Sequence, residues 1–160
     1  MKKLQLTTEY TLFDKIGELN PEDQELMKLA IQTRQTAYSP YSKFSVGTAI
    51  LLDNGSVVIG SNQENAAYPS GLCAERVAIF SANSQYPKNK ILKLAISASS
   101  SRKKVSEPVA PCGACRQSIS EYEVKQNSPI EILFMGETGP VIKVGALKNL
   151  LPLSFDRSYL

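Results

Sequence analysis

Cys73-Ala74-Glu75-Arg76, taken with Pro111-Cys112-Gly113-Ala114-Cys115-Arg116-Gln117, decides how this chain is read. The two segments hold all three cysteines, and the sequence has no histidine. No imidazole can therefore bind a metal or carry a proton. Cys112 and Cys115, three positions apart, share one face of a helical turn. A third thiolate from a separate segment completes a soft donor set that suits Zn²⁺. Structural zinc sites close with a fourth protein ligand. Three cysteines without histidine leave that position to water, unless Glu75 takes it, and an open position marks a catalytic zinc. Glu75 has a plainer reading as an acid in the first turn of a helix, where carboxylates are favoured. Cys73 and Glu75, two apart, point in nearly opposite directions inside a regular helix. Both can face one metal only if Cys73 sits at the helix cap, where the positive helix terminus also favours thiolate.

Working outward, Asn20-Pro21-Glu22-Asp23 reads as a helix start: a capping Asn, Pro at the first helical position and acids against the dipole. Leu26, Leu29, Ala30, Thr33 and Ala37 follow at helical spacing, and the helix should end before Pro40. Phe44 to Leu52 and Val57 to Asn62 are strands of a hairpin around Asp53-Asn54-Gly55. Further expected elements are a helix from Cys73, a buried strand at Ile91 to Ala98, a helix from Cys112 to about Glu123, strands at Ile130 to Met135 and Pro140 to Val144, and a helical turn at Ala146 to Leu150. After the hairpin, strands and helices alternate. Alternation predicts parallel strands with right-handed crossovers, and successive crossovers running one way put the second and third helices on one face. Ligands in such sheets bind where strands end and helices begin, so Cys73 and Cys112 should meet there. The first 19 residues fit neither strand nor helix period cleanly and read as a short strand or irregular arm.

Length suits one domain with a real core. A net charge of +3 does not by itself imply nucleic acid, and Arg102-Lys103-Lys104 reads as a solvated loop. No run is long enough for a membrane span, and Met1-Lys2-Lys3-Leu4-Gln5-Leu6 lacks the apolar stretch of a signal peptide. Clustered, odd-numbered cysteines fit reduced thiols in a cytoplasmic protein.

The Cys73-Ala74-Glu75 and Pro111-Cys112-Gly113-Ala114-Cys115 segments together closely resemble the cytidine deaminases, in their small, all-cysteine form; zinc deaminases pair three thiolates with a non-ligand glutamate. The resemblance runs from about Tyr38 to Phe155. It implies a three-layer α/β/α fold, with a mixed five-stranded sheet and helices on both faces, and a deaminase domain over residues 20–160 behind an extension over 1–19. It implies a homotetramer with shared active sites. It also implies hydrolysis of cytidine and deoxycytidine to uridine and deoxyuridine with loss of ammonia, with Zn²⁺ on Cys73, Cys112 and Cys115. Water is activated at the metal, and Glu75 takes its proton and returns protons to ring N3 and the leaving amine.

By the same resemblance Arg76 hydrogen-bonds the cysteine sulfurs and offsets their charge, a role that Arg116 shares less clearly. Asn62-Gln63-Glu64-Asn65-Ala66-Ala67-Tyr68 is similar to the family's sugar-binding segment: Asn62 and Glu64 hydrogen-bond ribose, and Tyr68 shapes the site across a subunit contact. Phe44 packs on the pyrimidine, and Phe155 reaches a neighbouring active site. Without the resemblance, Asn62 and Glu64 are solvated turn residues and Phe155 docks on its own subunit. Two other functions stay open: deamination of another amino-heterocycle, such as a cytosine-bearing antibiotic or an RNA base, and a non-catalytic module stapled by zinc.

Overall fold

The computed structural model describes residues 1–160. Its frame is one sheet of six strands in the order β1-β6-β5-β4-β2-β3. The strands are β1 (Thr11–Phe13), β2 (Phe44–Leu52), β3 (Val57–Ser61), β4 (Ile91–Ser100), β5 (Glu131–Met135) and β6 (Val141–Val144). The helices are α1 (Pro21–Thr33), α2 (Ala74–Gln85) and α3 (Gly113–Gln126). Only β4 and β5 pair parallel; β2 runs antiparallel to both β3 and β4.

Side chains alternate across a strand, so each strand feeds two cores. Ile50, Leu94, Ile96, Ile132 and Phe134 face α2 and α3, meeting Ala78, Ile79 and Ile119. The intervening Ala49, Ala95, Leu133 and Met135 face α1, meeting Leu26, Met27 and Ala30. The result is the expected three layers, with α2 and α3 on one face.

The sheet has six strands where the sequence reading expects five. The sixth comes from the N-terminal extension: Thr11, Leu12 and Phe13 pair antiparallel with Lys143, Ile142 and Val141. Without it β6 would be a bare edge with unpaired backbone groups. Phe13 and Ile16 pack against the α1-side core, which anchors the arm. Three residues are too few to show a period in sequence.

Two glycines set how closely helices approach. A Cβ on Gly47 would lie 2.2 Å from the Ala30 carbonyl oxygen, so α1 rests on bare β2 backbone. A Cβ on Gly60 would lie 2.6 Å from the Ala78 nitrogen and 2.7 Å from the Ala74 oxygen, so α2 rests on β3 in the same way. The α2 contact fixes the height of Cys73 and Glu75 above the sheet.

Asn20 caps α1 by accepting from the Asp23 backbone N–H at 2.8 Å. The Asp23 side chain turns inward and is 1 % exposed. Its carboxylate accepts from Lys93 of β4 at 2.6 Å and Lys143 of β6 at 2.7 Å. Burial raises the Asp23 pKa, but the two lysine hydrogen bonds outweigh it and hold the carboxyl below its ordinary value. This ion cluster pins the start of α1 to the sheet.

Candidate active site

α2 and α3 each begin at a cysteine in extended backbone. Cys73 caps α2 with φ −69° and ψ 153°, and Cys112 caps α3 with φ −67° and ψ 167°. Cys115, in the first turn of α3, is fully buried, while Cys112 is exposed. Their sulfurs converge: Cys73 Sγ to Cys112 Sγ is 3.9 Å and Cys112 Sγ to Cys115 Sγ is 3.4 Å, with all three within 4.8 Å of one another. Zinc–sulfur bonds of about 2.3 Å in a tetrahedron require sulfurs about 3.8 Å apart. The donor set therefore fits a zinc ion.

The clustered thiols shift one another's ionisation. The adjacent Cys115 thiol, against burial and the nearby Glu75 charge, brings the Cys73 pKa down to about 6. Cys115 is pushed up by Cys73 and then by burial. Within the cluster Cys73 ionises at the expense of Cys115.

Glu75 follows in the first turn of α2 and is 5 % exposed. Burial raises its carboxyl pKa, opposed in part by a backbone amide and the Cys115 thiol. A carboxylate that holds a proton more readily than usual suits acid–base exchange near neutrality. Glu75 shares a cavity of about 390 Å³ with Cys73, Cys112, Phe44, Asn62 and Glu64. A second hollow of about 450 Å³ shares Ser42, Asn62, Glu64 and Cys73 with it as wall residues, and is also walled by Tyr41 and Tyr68.

The segment after β3 forms the polar wall. Gln63 and Leu72 exchange backbone hydrogen bonds of 2.9 Å, closing the loop between them and bringing Cys73 beside the segment. Glu64 Oε2 accepts from the backbone N–H groups of Tyr41 at 2.9 Å and Ser42 at 3.2 Å. The Ser42 hydroxyl, ahead of these amides and the Lys43 charge, holds the Glu64 carboxyl below its usual pKa. The turn supplying those amides closes from Lys43 N to Ser39 O, with Lys43 left-handed at φ 58°. Asn62 is more occupied than the sugar-contact expectation supposes. Its Oδ1 accepts from Val46 N at 2.8 Å and its Nδ2 donates to Phe44 O at 2.9 Å, latching the start of β2 to the end of β3. One amide hydrogen is left for a ligand.

The two arginines meet a different geometry from the one expected. Arg76 makes no hydrogen bond to sulfur; its guanidinium lies 5.7 Å from the centroid of the Phe80 ring, four residues on along the same helix side. Its charge still adds a smaller lowering of the Cys73 pKa. Arg116 donates to two backbone carbonyls, Pro111 O and Leu150 O, each at 2.8 Å. Phe155 does not bury on its own subunit: it stacks on Tyr159 with centroids 5.6 Å apart and stays 59 % exposed. Tyr68 pairs with Tyr41 at 5.9 Å and is 74 % exposed. The sequence reading misses the Tyr41 and Ser42 amides that orient Glu64, because backbone donors carry no residue code. It also misses Val109 and Ala110 in the cavity wall, for which only their place before Pro111 is a signal.

Residues 20–128 match the cytidine and deoxycytidylate deaminase zinc-binding region. The chain belongs to the cytidine and deoxycytidylate deaminase family. It is 48 % identical over 132 residues to the cytidine deaminase of Halalkalibacterium halodurans, spanning 82 % of this chain and 92 % of that one. A Burkholderia pseudomallei cytidine deaminase crystal structure superposes with a TM-score of 0.71 at 34 % identity, covering 82 % of this chain and 97 % of that chain. More distantly, the chain is 27 % identical to a blasticidin-S deaminase of Bacillus cereus over 90 % of its own length and 99 % of the relative's. The zinc-binding character of this deaminase family agrees with the three-thiol cluster, and no helix is long and apolar enough to cross a membrane.

Proposed function

We propose that the chain hydrolyses cytidine and 2′-deoxycytidine to uridine and 2′-deoxyuridine with release of ammonia, in pyrimidine salvage. One observation carries the reading: two of the three clustered cysteines, Cys73 and Cys112, share a cavity with buried Glu75, Phe44 and Glu64. Cys73, Cys112 and Cys115 would hold a zinc ion, which would supply the Lewis acidity that makes water a better nucleophile at this site. Glu75 takes the proton of that water as the C4–O bond forms. It passes that proton to ring N3, then takes the remaining proton from the C4 hydroxyl and delivers it to the leaving amine as the C4–N bond breaks, so one carboxylate serves in turn as base and acid. Phe44 gives the pyrimidine a flat apolar wall. Glu64, ionised and held by the Tyr41 and Ser42 amides, accepts from the sugar, and Asn62 offers its remaining amide hydrogen.

Residues 20–160 make up the deaminase domain in this reading, with 1–19 as an extension that adds an edge strand. Surfaces that a single chain leaves open support a homotetramer with shared sites. Tyr68 and Phe155 are exposed rings, and Cys112 is an exposed ligand. Burying one such ring is worth about 2 kcal/mol, which a neighbouring copy supplies. Arg76 offsets thiolate charge through space rather than through hydrogen bonds. Three free thiols suit the reducing cytoplasm.

The test is a substrate panel followed by ultraviolet absorbance and ammonia release: cytidine, deoxycytidine, cytosine, a cytosine-bearing antibiotic nucleoside and a short RNA. Cytidine and deoxycytidine should lead. Preference for the antibiotic or the RNA would replace the substrate assignment, and no ammonia from any of them would leave a zinc-stapled module.

A further inference from the structure

The C-terminal segment lies along α3, held by polar side chains of that helix. Glu123 Oε2 accepts from Leu147 N at 2.9 Å, Arg116 Nη1 donates to Leu150 O at 2.8 Å, and Gln117 Nε2 donates to Phe155 O at 2.9 Å. From Leu147 to Leu150 the segment runs back along α3 toward its cysteine end. It turns at Leu153, which is left-handed at φ 58° and 92 % exposed, and returns so that Arg157 meets Val124 O.

Arg116 differs from the other two anchors in touching the ligand turn. Pro111 is buried and immediately precedes the capping Cys112. A buried carbonyl needs a donor. Arg116 Nε provides one at 2.8 Å, while its Nη1 reaches Leu150 across 34 positions of sequence. The planar guanidinium holds its donors in a fixed fork, so locating one carbonyl locates the other. No carboxylate forms an ion pair with Arg116. Its charge is left facing backbone oxygens, one residue from Cys115.

We infer that Arg116 is a positioning residue for the metal ligands: it fixes the Pro111–Cys112 turn against the Leu150 carbonyl, so that the geometry and retention of zinc depend on that joint and not on the other anchors of the C-terminal segment. The inference rests on the zinc assignment, which the same experiment checks first. Zinc content is measured in the parent, then its release to a chromogenic chelator is timed in parent, Arg116→Met, Arg116→Lys and Glu123→Ala. Cobalt-substituted samples report ligand geometry through their visible d–d bands.

Arg116→Met should release zinc at least tenfold faster and shift the cobalt bands. Arg116→Lys, able to serve one carbonyl at a time, should fall between; it also decides the matter if the methionine variant does not fold. Glu123→Ala loosens the segment away from the cysteines and should lower the melting temperature without moving the cobalt bands. Equal release rates and unchanged bands in the Arg116 variants would overturn the inference, as would an equal band shift in Glu123→Ala. A parent without stoichiometric zinc would overturn the zinc assignment and the inference with it.

Discussion

Cys73 Sγ and Cys112 Sγ lie 3.9 Å apart although 39 positions of sequence separate them. Two parallel-sense crossovers, from β3 through α2 to β4 and from β4 through α3 to β5, bring the two helix starts to the same end of the strands. Each cap leaves its thiol outside helical geometry, which lets Glu75 turn into the same cavity.

Glu75→Gln separates proton transfer from metal binding. The amide is nearly isosteric, so zinc content and melting temperature should stay near the parent values. Turnover should fall about a thousandfold, within the range set by loss of a general acid–base. Single-turnover assays beside zinc analysis check this; turnover within tenfold of the parent would remove Glu75 from the proton path.

Glu64→Ala should weaken nucleoside binding while sparing the metal. A charge-assisted hydrogen bond contributes roughly 1.5–3 kcal/mol, or about ten- to a hundredfold in KM. The Tyr41 and Ser42 amides lose their acceptor too, so the turn should exchange hydrogen faster. The decisive comparison is cytidine against cytosine. An unchanged preference between them would show that Glu64 does not read the sugar.

Gly60→Ala tests the height of α2. The new methyl meets backbone at 2.6 and 2.7 Å, and backbone cannot swing aside as a side chain does. Overpacking of this kind costs about 1–3 kcal/mol, and moving the catalytic turn by about 1 Å costs about a hundredfold in rate. Calorimetry with kcat measured on zinc-loaded enzyme reads both. Parental values for the two would mean that the helix seat is softer than its geometry implies.

Asp23 gives the fold an acid-sensitive clamp. Its folded pKa lies below the unfolded value of about 3.9, so its contribution is complete above that pH and is lost as pH falls through the folded pKa. Burial lowers the pKa values of Lys93 and Lys143, but their bonds to Asp23 raise both overall, so their contribution is lost only in strong alkali. Asp23→Asn should cost roughly 3 kcal/mol at neutrality, because two lysines lose a buried partner. The gap to the parent should narrow from pH 5 to pH 3 in urea titrations. A gap independent of pH would mean that the carboxylate's charge is not what stabilises.

Removing residues 153–160 tests the shared site. Activity should fall steeply with zinc retained, because Leu150 and its bond to Arg116 stay in place. Mixed oligomers of that truncation with Glu75→Gln chains should regain activity, the full-length tail completing a site whose glutamate comes from the shortened chain. No regain in verified mixed oligomers, or a fully active monomeric parent, would confine each site to one subunit.

Much of this protein is written locally. Asn20-Pro21 starts α1, Asp53-Asn54-Gly55 turns the hairpin, and Cys73 and Cys112 cap their helices where spacing places them. Those features depend on backbone preferences and periods that act within a few residues, so sequence by itself determined the element order and the meeting of the two cysteine-led helix starts, with the layers and the zinc roles implied by resemblance. The sixth strand, the Asp23 clamp, the Glu64 seat and the two carbonyls held by Arg116 were decided only by tertiary structure. Each joins distant segments, and most use backbone N–H or C=O groups, which every residue type presents alike. Arg76 shows the limit from the other side: its charge was legible, but whether it meets sulfur or the Phe80 ring depends on which neighbour the folded helix face offers.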